Sequence, residues 1–213
     1  MSVFAGTGLA CLRGERIVFA GLGFSLAGGR VLLLRGANGS GKSTLLRCMA
    51  GLLAPIAGDL TWDGAPAARD PESHHRRLRY LGHLDAVKTS FTVAENLALC
   101  QELYGRRDPA AIDDALERLG IDTIAGLPAR LLSAGQRRRA ALARLLVVPA
   151  PLWLLDEPTN ALDDDGVERF AAIVETHCAA GGMAVIAAHG NPGVDGEPLS
   201  LADFAALPVE AAA

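Results

Sequence analysis

One glycine-rich stretch constrains this chain more than any other. Gly36-Ala37-Asn38-Gly39-Ser40-Gly41-Lys42-Ser43 fits G-x-x-x-x-G-K-[ST] at every fixed position. Before it, Val31-Leu32-Leu33-Leu34 reads as a short buried strand. After it, Thr44-Leu45-Leu46-Arg47-Cys48-Met49-Ala50 reads as a helix. Strand, glycine loop and helix form the context in which such a loop cradles nucleotide phosphates. Glycines let the backbone curl so that several N–H groups point inward, and the helix N-terminus adds partial positive charge. Gly36 through Thr44 are therefore the candidate nucleotide-binding residues. Lys42 reaches the β- and γ-phosphates, and the Ser43 hydroxyl ligands Mg²⁺.

Composition narrows what can surround that loop. Of 213 residues, 50% are hydrophobic, enough to build a large core. The formal net charge of -4 argues against nucleic acid as the main partner. Cys11, Cys48, Cys100 and Cys178 are scattered without a C-x-x-C pair, as expected of small core residues in a reducing compartment. The chain shows no signal peptide. It has no apolar run near the roughly 20 residues that span a bilayer. Work at a membrane would need another chain to supply the pore.

Residues 8–35 read as short strands joined by tight turns, with Gly28-Gly29 marking one turn. Thr61-Trp62-Asp63-Gly64 reads as a strand ending in a turn. Residues 65–77 read as an exposed loop, and His74-His75-Arg76-Arg77 within it as a solvated polar stretch rather than a metal or anion site. Tyr80-Leu81-Gly82-His83 ends another strand. Thr92 and Glu95 are spaced as a capping box for a following helix. Pro109 to Leu119 carries apolar residues at 112, 115, 116 and 119 and reads as a second helix. Residues 84–132 are thus predicted to be mainly helical, inserted between two halves of an α/β pattern. The Ala-rich end is the only low-complexity segment.

Leu132-Ser133-Ala134-Gly135-Gln136 opens a further helix with Ser133 as its N-cap. Arg137, Arg138, Arg139 and Arg144 on it read as a solvated face that attracts nucleotide at long range. Leu152-Trp153-Leu154-Leu155 reads as a buried strand with Asp156 and Glu157 at its C-terminal end, where doubly wound sheets place ligand-binding residues. Asp156 is the candidate second Mg²⁺ contact. Glu157 is the candidate base for water. A helix near 166–178 and a strand at Met183-Ala184-Val185-Ile186 follow. His189 caps that strand, where a γ-phosphate contact is sensible.

These motifs together resemble the nucleotide-binding domain of ABC transporters, over nearly the whole chain. GANGSGKS looks like Walker A, LSAGQ (132–136) like the family signature, and LWLLDE (152–157) like Walker B. ALD (161–163) looks like the D-loop and His189 like the switch histidine. Three positions depart from the common pattern. Arg13 stands where an aromatic residue usually stacks on adenine, and a guanidinium can also stack on a base. His83 stands where a glutamine usually senses Mg²⁺ and the membrane partner, which makes it a candidate metal residue beside Ser43 and Asp156. Ala134 stands where glycine is commoner.

Those departures, with YLGH, AVKTSFTVAENL and LSAGQRRRAALARLL, are similar to the ATPase subunit of the bacterial cytochrome c maturation system, often called the haem exporter. The resemblance implies an α/β P-loop core with an antiparallel β edge and an inserted helical subdomain. It implies ATP and Mg²⁺ as cofactors, a homodimer in which Ser133, Ala134, Gly135 and Gln136 meet ATP on the other copy, and separate transmembrane permease subunits. It places the chain peripherally on the cytoplasmic face of the inner membrane, with indirect coupling to a haem chaperone. An exporter ATPase for a lipid, peptide or drug shares all this chemistry. A soluble ABC ATPase would carry fused ATPase domains or a coiled-coil insertion, and a scaffold without turnover would not need Glu157.

Overall fold

The computed structural model describes residues 2–14 and 16–205; the Ala-rich end lies outside them. Two sheets share the chain. β1 (Val3–Arg13), β2 (Arg16–Ala27), β4 (Ala57–Trp62) and β5 (Ala65–Pro66) form an antiparallel sheet in the order β2-β1-β4-β5. β3 (Val31–Arg35), β6 (Leu78–Leu81), β7 (Leu152–Asp156), β8 (Met183–Ala187) and β9 (Glu197–Ser200) form a parallel sheet in the order β6-β7-β8-β3-β9.

The parallel strands are short continuous apolar runs because both faces are covered. Alternate residues feed two separate cores. Leu33, Leu155 and Ile186 face a core shared with α3 (Val93–Leu103), α4 (Pro109–Arg118), α5 (Ala134–Val147) and α6 (Asp164–Ala179). Leu32, Leu34, Leu154 and Val185 face the other core, shared with α1 (Lys42–Met49) and the antiparallel sheet. The strand that carries the glycine loop therefore lies between two packed layers, which fixes where the loop emerges.

Several expectations hold. Thr92 and Glu95 form the reciprocal capping box of α3. Pro109 opens α4, and Ile112, Ala115, Leu116 and Leu119 are buried. Cys11, Cys48 and Cys100 are buried and free.

Others need correction. The segment before the glycine loop is one long hairpin, not a set of short strands. β1 begins at Val3, and the register shifts between Gly6 and Leu12 bend the pair without ending it. Such bulges let a strand curve while pairing continues. Residues 65–77 are not an open loop. They hold β5, a 3-10 turn and the short helix α2 (Pro71–Arg76), capped by Asp70 through Ser73 N–H. His74 is 5% exposed, so it is not part of a solvated stretch. Its ring lies against Phe4, and Trp62 Nε1 donates to its Nδ1 at 3.0 Å. The strand β9 carries no strand pattern of its own in the sequence. Pro198 within it lacks an N–H, which suits an edge position.

Candidate nucleotide site

The loop after β3 curls where three glycines take positive φ: Gly36 at 151°, Gly39 at 78° and Gly41 at 104°. A Cβ on Gly36 would come 2.5 Å from Ser40 Oγ, and one on Gly41 would come 2.4 Å from Val18 Cγ1. No other residue fits this curl without displacing a neighbour. Gly41 is also the N-cap of α1 and offers no side-chain cap, so the first amides of α1 face the loop. Among the described residues, the buried Ser40 Oγ finds no hydrogen-bond partner. A phosphate oxygen would satisfy these donors.

Lys42 is buried, and its Nζ donates to Gly36 O at 2.7 Å and Ala37 O at 3.2 Å. This holds the ammonium over the loop. Ser43 Oγ donates to Asp156 Oδ1 at 3.0 Å. Asp156 ends β7 and is 3% exposed. The two side chains come from distant parts of the sequence and are brought together because β7 and β3 both flank β8.

Glu157 follows at φ 50°, an uncommon conformation for a residue with a Cβ. Its N–H donates to Ala187 O at 2.8 Å, extending the β7–β8 pairing by one bond. Its carboxylate meets His189 twice. His189 N–H donates to Oε2 at 3.2 Å, and His189 Nε2 lies 3.4 Å from Oε1. Arg13, His83, Asn160 and His189 ring a cleft of about 250 Å³ whose walls include Asn38, Gly39, Gly41, Lys42, Ser43, Thr44, Asp156 and Glu157. Arg13 and His83 are exposed at its rim. His83 also borders a neighbouring groove of about 450 Å³ with Arg47, Leu52, Leu84 and Arg144.

The LSAGQ segment stands apart. Ser133 is the exposed N-cap of α5, closed by a reciprocal box with Gln136. Ser133, Gly135, Gln136, Ala161 and Asp163 line a separate cleft of about 400 Å³, and Ala134 is exposed beside it. A Cβ on Gly135 would lie 2.8 Å from Ala161 O, so this helix start packs closely on the 161–163 turn. The two clefts share no lining residue. Within one chain, the LSAGQ residues are not brought to the glycine loop.

The arginines of α5 are not a solvated face. Arg138 is 3% exposed and Arg139 is 9% exposed. Arg139 bonds Asp163, Asp165 at 2.8 Å and Leu119 O at 3.1 Å. The Arg139 guanidinium, with the Gly166 N–H, holds the Asp163 carboxyl below the usual carboxylate range. The sequence carried a signal for the burial. Arg138 falls on the same helical face as Ala141, Leu142 and Leu145, which are all buried.

The ABC transporter family profile matches residues 19–160, and the chain belongs to that family. Solved structures of similar fold include a putative ABC transporter ATP-binding protein from Pyrococcus furiosus. It has a TM-score of 0.84 and 23% identity and covers 96% of this chain and 100% of that one. An ATP-binding subunit of an ABC transporter gives 0.80 at 22% identity, covering 88% of this chain and 79% of that one.

Within the family the chain groups with a particular branch. It is 51% identical to the cytochrome c biogenesis ATP-binding export protein CcmA of Paramagnetospirillum magneticum, over 96% of each chain. It is 50% identical to the protein of that name from Rhodospirillum rubrum, over 99% of this chain and 91% of that one. To the one from Methylococcus capsulatus it is 44% identical, over 91% and 94%.

Proposed function

We propose that this chain is the ATP-hydrolysing subunit of a membrane complex serving cytochrome c biogenesis, with Glu157 as the base that activates water. The observation that carries this reading is the Glu157 carboxylate held by His189 beside the Lys42 loop and the Ser43–Asp156 pair, all in one cleft.

Lys42 and the loop amides bind the phosphates and offset charge that develops during transfer. Glu157 takes a proton from the attacking water, and His189 keeps the carboxylate aimed and adds a donor toward the γ-phosphate. Ser43 and Asp156 form an all-oxygen donor pair 3.0 Å apart, which suits Mg²⁺. Held there, Mg²⁺ would supply positive charge to offset that of the transferred phosphate. His83 offers nitrogen rather than oxygen, so its role is to face the metal site from the rim and read its occupancy. Arg13 stacks on the base.

Two copies join head to tail, so that Ser133, Gly135 and Gln136 of one cover the phosphates in the other. Closure expels water and completes the site. No helix among the described residues is long and apolar enough to cross a membrane. Separate transmembrane subunits carry the path, and the chain docks on their cytoplasmic side. Residues 84–132 form the helical unit inserted in the α/β core. ATP turnover drives either movement of haem or release of a haem-loaded chaperone.

Glu157→Gln keeps shape and removes the base. It is expected to retain ATP binding and lower turnover by at least about 100-fold, the range for loss of general base catalysis. Turnover at the wild-type rate in the assembled complex would place the base elsewhere.

A further inference from the structure

The five N–H donors of Arg138 are all engaged. Nε donates to Pro158 O at 3.0 Å, and Nη2 donates to Asp156 O at 2.8 Å and Glu157 O at 2.7 Å. Nη1 donates to Gly82 O at 3.2 Å and Asp85 Oδ1 at 3.0 Å. A guanidinium has five donors in a rigid fork, and here none is left over. Three successive carbonyls at the end of β7, those of Asp156, Glu157 and Pro158, therefore converge on one side chain from α5. So does the loop on both sides of His83.

The middle carbonyl belongs to Glu157, whose φ of 50° is strained for a residue with a Cβ. The sheet supports Glu157 through its N–H to Ala187 O. Its carbonyl leaves the sheet and bonds Arg138 and Asn160 N–H at 3.2 Å. Rotation about this backbone would swing the carboxylate away from His189. Arg138 thus holds the Glu157 backbone in the conformation that aims the carboxylate.

We infer that Arg138 is a positioning residue that links three parts of the site: the Ser133 end of α5, the Glu157 carboxylate and the His83 loop. It touches no reacting atom. α5 is a continuous hydrogen-bonded helix from Ser133 through Arg138, so a push at the Ser133 end moves the guanidinium with it. That movement shifts the Asp156–Pro158 carbonyls and the Gly82–Asp85 loop together. Contact by the second copy at Ser133 is thereby felt at the base and at His83. The inference rests on the reading of Glu157 as the base.

The test uses the full chain in complex with its membrane subunits, and compares Arg138→Lys, Asp85→Asn and Glu157→Gln. Lysine keeps the charge but has three donors on a point-like head, so it cannot hold all five acceptors. Arg138→Lys is expected to lower kcat for ATP by about 100-fold through misplacement of the base, with KM within about threefold. Asp85→Asn, at a partly exposed position, is expected to lower kcat by about tenfold with an unchanged melting temperature. A role confined to folding would lower the melting temperature and the amount of active enzyme without separating kcat from KM. If Arg138→Lys turns over at the wild-type rate while Glu157→Gln is inactive, the inference fails and the assignment of the base stands. If Glu157→Gln itself keeps the wild-type rate, the underlying assignment fails. If Arg138→Lys does not fold, a wild-type kcat in Asp85→Asn overturns the link.

Discussion

Lys42 and His83 illustrate what a single residue can and cannot reveal from sequence. Lys42 was legible because its spacing to Gly36 and Gly41 fixes its place in the loop. Its amine accordingly lies over Gly36 O and Ala37 O. Lys42→Ala is expected to abolish ATP turnover, since no other ammonium among the described residues lines the cleft; an assay of the assembled complex with unchanged turnover would refute the site. His83 was legible only as a position in a motif series. The structure adds that it borders both the nucleotide cleft and the adjoining groove with exposed Leu84. An imidazole can accept one hydrogen bond and donate another, as a glutamine amide does. His83→Gln is therefore expected to keep ATPase activity within about threefold of wild type, while His83→Ala loses stimulation by the membrane subunits. If His83→Ala matches wild type in basal activity, stimulated activity and cytochrome c yield, the histidine does not couple the two sides.

At the scale of elements, caps and helix faces decided which expectations held. Thr92, Ser133 and Pro109 announced their helices because capping geometry is local and needs no tertiary information. Asp70-Pro71 carries the same start signal as Asp108-Pro109, yet the polar residues that follow mask it, so α2 looks like a loop in the sequence. The arginines of α5 mislead for a related reason. Three adjacent arginines look like a charged face until the helical repeat separates Arg138 from Arg137. No local rule reports that carbonyls at the end of β7 need an outside donor; only the assembled sheet reveals that. Ser133 is the element-scale test. It is exposed, and among the described residues its hydroxyl serves only the cap of α5. Ser133→Arg is expected to cost about 1 kcal/mol of stability through loss of the cap. It should leave ATP binding by the isolated chain intact and, with two copies closing head to tail as proposed, block turnover in the assembled complex. Loss of nucleotide binding by a folded monomer would count against a role across the dimer interface.

Across the whole molecule, a buried and a half-buried histidine pin helices to the two sheets, and this makes its stability depend on pH. Trp62 Nε1–H donates to His74 Nδ1, so the ring proton sits on Nε2 and is given to Met49 O at 2.9 Å. One neutral ring thus ties the antiparallel sheet to the end of the P-loop helix. An imidazolium would point a second N–H at the Trp62 donor, close to His75 and Arg77. Burial holds the His74 pKa below its ordinary value, and those two neighbours lower it further. Burial does the same to His177, which stacks on Trp153 with centroids 3.9 Å apart and contacts Met183 O at 3.2 Å. Each group binds a proton less readily folded than unfolded, so the unfolded chain gains protons first as pH falls. The contribution is complete above the unfolded histidine pKa of about 6.5 and is lost as pH drops below it toward the folded value. Asp163 and Asp165, held low chiefly by Arg139 and Arg169 respectively, have the same sign but act only near and below the ordinary carboxylate value of 3.8. A comparison between about pH 7.5 and 5.5 therefore isolates the histidines. The melting temperature is expected to fall over that range, by about 2–4 °C for each kcal/mol lost in a chain of this size. His177→Phe preserves the ring stack and removes the titrating group, so it should flatten part of the slope. A melting temperature that does not change across this range, or an undiminished slope in His177→Phe, would show that these rings are not the acid-sensitive points of the fold.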